Sequence, residues 1–294
     1  MNSSQYKESQ LKYLCSIVGC QPEEVLYITS HIDEYYSEWF EKKPDKKTGD
    51  FKRYKDGTLK LRPIRPSLKR LKVIQKAIKD KILAKIPLPE NIHGGVKGKS
   101  NITNAKPHQG NKYQFTTDLL GFYPSVKYDH VYHTLLSHGY SNHFSHWVTK
   151  LTTWKYELPQ GTSTSPHLAN LVFLEIDKVL IPFCKANNLT YTRYVDDLTF
   201  SSQLDFKPIL NDVLRIITSC GYKISYRKTS YNGDQSITGI NVFNNFIDAP
   251  QKIKDKAKSE EVIDNKMKPY TNYLNRIRLT NKRKNKRQPI TRTV

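Results

Sequence analysis

The chain has 294 residues, 37% of them hydrophobic and 26% charged. That is enough to bury a large core, so a fibrous or wholly disordered chain is excluded. Lys plus Arg number 48 against 27 Asp plus Glu, a net charge of +21, and such an excess points to a polyanionic partner, nucleic acid first among them. The four cysteines (Cys15, Cys20, Cys184, Cys220) are too few for a disulfide framework, and no histidine pair completes a zinc pattern around Cys15 and Cys20. Residues Met1 to Gln10 hold no apolar signal core, and no apolar run nears the roughly 18 residues of a membrane span. A cytoplasmic protein with no membrane partner is expected.

The charge is unevenly placed. Residues 1–41 carry a net −5, residues 42–99 carry +14, residues 100–250 carry +2 and residues 251–294 carry +10. A near-neutral block between two basic ones suggests a globular core with basic walls where phosphates displace counterions.

In chain order, residues 9–41 read as two short amphipathic helices, the second from Pro22 to Phe40 with proline at its start. Lys42 to Lys60 is polar and broken by Pro44, Gly49 and Gly57, an exposed loop or a hairpin turning at Asp56-Gly57. Leu68, Leu71, Ile74, Ile78, Ile82 and Ile86 recur every three or four residues, which predicts a helix with one buried stripe and a basic outer face. Pro87 to Gly110, rich in glycine and proline, predicts a long ordered loop or lid. Tyr113 to Leu119 alternates as a strand. Lys127 to His138, His143 to Thr153 and Pro166 to Asn187 read as helices, and Leu189 to Ser202 as two strands joined tightly at paired aspartates. Phe206 to Cys220 reads as a helix, and Tyr222 to Lys228 and Ser236 to Phe243 as strands. From Pro250 the pattern is helical and basic, ending in an apolar-poor tail (Lys282 to Val294) expected to be disordered. The fold class is α+β.

Asp196 and Asp197 follow Tyr194-Val195 at the bend between two predicted strands. Two carboxylates forced together repel, and a divalent cation between them is the usual relief. Asp118 closes an otherwise uncharged strand and is followed by the turn Gly121-Phe-Tyr-Pro124. Three aspartates on adjacent strands can hold two ions, one activating an attacking hydroxyl and one holding a leaving pyrophosphate, which makes nucleotidyl transfer the reaction class.

The runs Asp118-Leu-Leu-Gly-Phe-Tyr-Pro-Ser125, Leu158-Pro-Gln-Gly161 and Tyr194-Val-Asp-Asp197 resemble, in order and spacing, the palm motifs of reverse transcriptases. Arg62 with Pro66 and Gln75 resembles their fingers segment, His93 to Ser100 the fingers–palm loop, and Arg227-Lys228-Thr229 the segment after the palm helix. Asn104-Ala-Lys-Pro-His108 and Ile237-Thr-Gly239 are similar to two signatures of bacterial retron reverse transcriptases, the second differing from Val-Thr-Gly at its first position. The resemblance covers residues 60–245. It implies a right-hand polymerase: a helical N-terminal extension (1–41), fingers (42–112), palm (113–248) and a short basic helical thumb with its tail (249–294).

By the same resemblance, Asp118, Asp196 and Asp197 are the catalytic, metal-binding carboxylates. The ions are two Mg2+, with Mn2+ as a possible substitute. The Leu119 carbonyl completes the site, and Lys228 protonates the leaving pyrophosphate. Tyr123 excludes ribonucleotides, Gln160 and Gly161 line the nucleotide pocket, and Arg62, with Lys60 or Arg65 as substitutes, binds the triphosphate. Asn104 and His108 are expected at an RNA-binding site. The implied partners are deoxynucleoside triphosphates, a cognate structured non-coding RNA, the RNA–DNA hybrid product and a separate effector protein in anti-phage defence. The rival expectations are another defence-associated or abortive-infection reverse transcriptase without a retron RNA, and a non-catalytic RNA-binding protein with a polymerase fold.

Overall fold

The computed structural model describes residues 3–44, 49–54, 56–233, 236–262 and 268–282. Its elements in chain order are helices α1 (Ser3–Val18) and α2 (Pro22–Ser30), strands β1 (Trp39–Lys42) and β2 (Leu61–Ile64), helices α3 (Lys69–Lys81) and α4 (Asn101–Ala105), and strand β3 (Tyr113–Asp118). Helices α5 (Phe122–Ser125), α6 (Tyr128–Ser137), α7 (Asn142–Thr152) and α8 (Ser165–Ala186) follow, then β4 (Thr190–Tyr194), β5 (Asp197–Ser202) and α9 (Leu210–Thr218). Short strands β6 (Ser230–Tyr231), β7 (Ser236–Ile237), β8 (Ile240–Val242) and β9 (Ile247–Asp248) lead to α10 (Gln251–Val262) and α11 (Pro269–Lys282). Helix and antiparallel sheet are interleaved, as an α+β chain should be. None of the described helices is long and apolar enough to cross a membrane.

The chain divides into two compact units, each discontinuous in sequence. The first comprises 1–89, 119–178 and 219–223, and its helices α1, α3 and α7 pack on one another. The α3 stripe is buried as its spacing predicts: Leu71, Ile74 and Ile78 are at most 1% exposed. Each such side chain contributes about 1.5–3 kcal/mol, which outweighs the weak helix-surface pairs on the lysine side. Among the polar groups buried in this core, Gln75 has partners on three separate segments. Gln75 is fully buried, accepts from the Ser67 hydroxyl at 2.7 Å, and donates to the Tyr36 hydroxyl at 2.9 Å and the Leu151 carbonyl at 2.8 Å. It thereby ties α3 to the 36 and 67 segments and to α7.

The second unit comprises 90–118, 179–218 and 224–294. Its main sheet has the order β4-β5-β3-β6, all antiparallel, and β7-β8-β9 forms a smaller one. Aromatic pairs fill one face of the main sheet: Tyr191 stacks on Phe200 at 4.8 Å, and Phe200 meets Phe115 at 5.9 Å.

Several expected elements differ. The first helix starts at Ser3, and the second stops at Ser30, where Ser30 turns its hydroxyl onto the Tyr27 carbonyl. A 3-10 turn (Ile32–Tyr35) follows, and residues 39–42 become β1 because they find a partner in β2. At the expected turn Asp56-Gly57 the described residues form a hairpin, with Arg53 bridged to Leu59 and the tip held by Asp56 accepting from the Thr58 amide and hydroxyl and by Gly57 at φ +84°; residues 45–48 and 55 lie outside the described residues. The expected 87–110 loop contains α4 and a 3-10 turn, Lys106–His108. Residues 222–228 form no strand but end in a 3-10 turn, Tyr226–Lys228, and 236–243 is a two-strand hairpin turning at Thr238-Gly239. The tail expected to be disordered lies, beyond Lys282, outside the described residues.

Replacing Gln75 with Ala would leave two hydroxyls and a carbonyl unpaired in a dry core. We expect a loss of about 2–4 kcal/mol in unfolding free energy, read by urea denaturation. A loss below about 0.5 kcal/mol would mean that water takes the amide's place.

Candidate active site

Two sheet pairings bring the carboxylates together. Asp118, the last residue of β3, lies opposite Asp197, the first of β5, and Asp197 in turn lies opposite Tyr194, the last of β4. The link between β4 and β5 is only Val195 and Asp196, so Asp196 lies at the same sheet end. One ligand oxygen from each of Asp118, Asp196 and Asp197 falls within 4.8 Å of the others. Asp118 is 5% exposed and the other two are half-buried.

The turn is held under strain. Val195 has φ +59°, a conformation that β-branched residues avoid. Arg193, fully buried, donates to the Val195 carbonyl at 3.0 Å. The 91–93 segment runs beside β4, with the Arg193 amide donating to the Asn91 carbonyl at 2.9 Å and the His93 amide to the Arg193 carbonyl at 2.8 Å. This brings Gly94 against the turn so closely that a Cβ there would stand 2.6 Å from Val195 Cγ2 and from the Val195 amide nitrogen. Gly94 is therefore needed for close approach. Sequence reasoning assigned no role to Arg193, Gly94 or Val195. An arginine within the strand run Thr-Tyr-Thr-Arg-Tyr was the available signal, since a charge on an inward strand position is kept only with dedicated partners.

Lys228 reaches the cluster from its 3-10 turn, its Nζ 2.5 Å from Asp118 Oδ2, while the Ser225 amide donates to the Asp118 carbonyl at 2.8 Å. Burial, then the charges of Asp196 and Asp118 and a hydrogen bond shared with Asp118, push the Asp197 carboxyl up to about 7; Lys228 opposes this only in part. Three crowded carboxylate oxygens with one of them reluctant to ionise form a hard-oxygen donor set suited to divalent magnesium or manganese. The three aspartates fit the metal that the sequence implied.

In the first unit, Leu119 is buried and Tyr123 is half-buried on α5, which starts after Gly121 in the left-handed conformation. The neighbouring Phe122 is anchored edge-on to Phe173 and Tyr222. Gly161 has φ +119°, and a Cβ there would meet Ile64 Cγ2 and the Pro66 nitrogen at 3.3 Å. The Gln160 carbonyl accepts from the Arg65 amide at 2.6 Å. The Leu158–Gly161 turn is thus laid against the 64–66 segment by conformation and by close packing. Arg62 is exposed on β2. Arg65 is occupied by Glu38 and Glu157, and the Lys60 ammonium lies over the Tyr54 ring. Of the three cations expected at a triphosphate, Arg65 is committed to carboxylates and Arg62 is exposed.

Asn104 and His108, expected at an RNA-binding site, are buried, 0% and 1% exposed. They face inward because the 101–108 segment forms a helical turn that packs on the main sheet. His108 bonds Ser201 on β5 at 2.6 Å and Thr192 on β4 at 2.7 Å. Burial pushes the imidazole down to about 3, so it is neutral.

An ordinary aspartate ionises near 3.9. Between that value and about 7 the folded chain therefore holds a proton on Asp197 that the unfolded chain has lost, and this group's contribution to stability falls as pH rises through that window. With metal removed by chelator, the wild-type Tm should fall relative to that of Asp197→Asn between pH 5 and pH 8. Added Mg2+ should raise the wild-type Tm more at pH 8 than at pH 5. Parallel pH curves for the two proteins would refute the elevated ionisation.

Residues 43–242 match the family model described as reverse transcriptase (RNA-dependent DNA polymerase). Among curated proteins, Retron Ec86 reverse transcriptase of Escherichia coli is 35% identical over 186 residues, 62% of this chain and 58% of the relative. Retron Mx65 reverse transcriptase of Myxococcus xanthus is 30% identical over 197 residues, 59% of this chain and 46% of the relative. Retron Ec73 reverse transcriptase of Escherichia coli is 30% identical over 216 residues, 66% of this chain and 68% of the relative. The matched region thus spans about half the length of the first two relatives. With three clustered aspartates at the ends of paired strands and a family match across two thirds of its length, the chain belongs to the reverse transcriptase, or RNA-dependent DNA polymerase, family, and within it to the retron type.

Proposed function

We propose that the chain is an RNA-directed DNA polymerase that copies part of a cognate structured RNA into DNA by nucleotidyl transfer. The observation that carries this is the convergence of Asp118, Asp196 and Asp197 within 4.8 Å at one end of an antiparallel sheet. Two magnesium ions held by these carboxylates, with the Leu119 carbonyl, would activate the primer hydroxyl and stabilise the departing pyrophosphate. Lys228, already within reach of Asp118, would protonate that pyrophosphate. The Tyr123 ring would lie against the 2′ carbon of the incoming sugar and exclude ribonucleotides. Gln160 would hydrogen-bond to the nucleotide, Gly161 would let the backbone approach it, and Arg62 would bind its phosphates in a guanidinium fork.

In this proposal residues 1–41 form an N-terminal extension, 42–112 the fingers, 113–248 the palm and 249–294 the thumb. The net +14 of residues 42–99 and +10 of 251–294 support phosphate contacts from both flanks of the near-neutral block. Kinship with retron enzymes supports the finer reading: priming from a 2′ hydroxyl within the RNA, a branched RNA–DNA product, and service with a separate effector in anti-phage defence.

Asp196→Asn should abolish primer extension on an RNA template while leaving RNA binding within a few-fold, read by filter binding; full extension would sink the carboxylate assignment. Tyr123→Ala should relax discrimination against ribonucleotides by about 10–200-fold, the worth of a small steric mismatch in a tight pocket. It would be scored by single-nucleotide incorporation of matched ribo- and deoxynucleotides. Unchanged discrimination would remove Tyr123 from that role.

A further inference from the structure

The short helix α4 and the 3-10 turn after it do no chemistry, yet their polar side chains point into the second unit in two directions. Ile102 and Ala105 of α4 join an apolar cluster with Ile237 and Ile240 of the β7–β8 hairpin and Leu274 and Ile277 of α11. Beside that cluster, Asn101 Nδ2 donates to the Thr238 carbonyl at 3.2 Å and to the Tyr273 hydroxyl on α11 at 2.6 Å. Asn104 Nδ2 donates to the Thr238 hydroxyl at 3.3 Å.

In the other direction the bonds form a chain whose proton order can be assigned. Thr192 donates its hydroxyl to the Asn104 carbonyl at 3.3 Å, so it must accept from His108 Nε2–H at 2.7 Å. His108 Nδ1 is then an acceptor and takes the Ser201 hydroxyl at 2.6 Å, and Ser201 accepts from Asn111 Nδ2 at 2.7 Å. Every link is satisfied by a neutral histidine in one tautomer. Thr192 and Ser201 lie on β4 and β5, the strands joined by the Val195-Asp196 turn. His108 therefore bridges the two strands that carry the paired aspartates.

The far end of this network is strained. Thr238 has φ +46° and Gly239 φ +80°, successive left-handed residues in a tight hairpin. Glycine or asparagine would sit at Thr238 more easily. What threonine adds is the hydroxyl that Asn104 grips.

We propose that Asn104, His108 and Thr238 are positioning residues of one clamp, the first two buried and Thr238 half-buried. It fixes α4 to the aspartate-bearing strands on one side and to the β7–β8 hairpin, with α11 beside it, on the other. It keeps the nucleic-acid grip of α10 and α11 in register with the carboxylates. The clamp serves any template alike: Asn104 and His108 are too buried to read RNA, and the Thr238 hydroxyl is taken by Asn104. The proposal rests on the polymerase function above.

The test uses the full chain on a homopolymer RNA template with a DNA primer and on RNA from its own locus, with a trap that limits synthesis to one binding event. Asn104→Ala, Thr238→Val and Thr238→Gly should shorten the products and raise KM for primer–template by roughly tenfold, leaving kcat for the first nucleotide within about threefold, on both templates. Thr238→Ser should behave as wild type. The Asn104→Ala/Thr238→Val double variant should be no worse than its worse parent, because both break one link. Thr238→Gly relaxes the turn and should lose product length without losing Tm, which separates the clamp from simple unfolding. Losses confined to the locus RNA, additive single effects, or a fall in kcat at unchanged KM would each overturn the proposal. A wild-type chain inactive on both templates would overturn the polymerase function instead. The clamp would then stand or fall on amide exchange across 236–242, expected to speed up in Asn104→Ala; unchanged exchange would refute it.

Discussion

The mutual repulsion of three carboxylates is the constraint around which the second unit is built. Asp118, Asp196 and Asp197 would separate if the backbone allowed it, and the folded chain denies them that freedom. Antiparallel register sets Asp118 opposite Asp197. A two-residue link leaves Asp196 nowhere else to go, and the Val195 backbone is held left-handed by a buried arginine and a glycine pressed against it. Lys228 offsets part of the charge from outside the sheet. It is a tension that a divalent cation would relieve.

That tension explains why the sheet carrying the aspartates is so polar inside. Thr192, Arg193, Thr199, Ser201 and His108 are all at most 2% exposed, in a place where an aliphatic residue would pack at less risk. A buried polar group is costly unless paired, but a fully paired network has directional bonds, and these resist the small shifts that dispersion contacts tolerate. Neutral His108, bonded through both ring nitrogens, holds β4 and β5 together just behind the turn that repulsion would open. The first unit follows the same rule at Gln75, which with three partners sets the register of α3 against its neighbours while aliphatic burial provides most of the stability.

Cations are divided by the same logic. Arg65 is fixed between Glu38 and Glu157 and so helps hold the 64–66 segment against which Gly161 lies, whereas Arg62, three residues earlier on β2, is exposed. An arginine held between two carboxylates is a structural brace. Spacing alone does not distinguish the two.

Much was legible in the sequence because it depends on local period and local chemistry. The α3 stripe, the alternation of β3, the pair of strands meeting at Asp196-Asp197 and the motif order that identified the family needed only neighbours along the chain. The misjudged stretches were those whose conformation is settled by distant partners. Residues 39–42 are a strand because β2 lies beside them, and 226–228 form a turn that carries Lys228 to Asp118. Residues 101–108 coil because their apolar face meets the β7–β8 hairpin and α11 while their polar face meets β4 and β5. The sequence by itself determined the family, since the order and spacing of its motifs need only neighbours along the chain. Only the tertiary structure decided which polar residues face the aspartates and which, like Asn104 and His108, are spent inside to hold them in place, because burial is a property of contacts that lie about 80 to 140 residues apart.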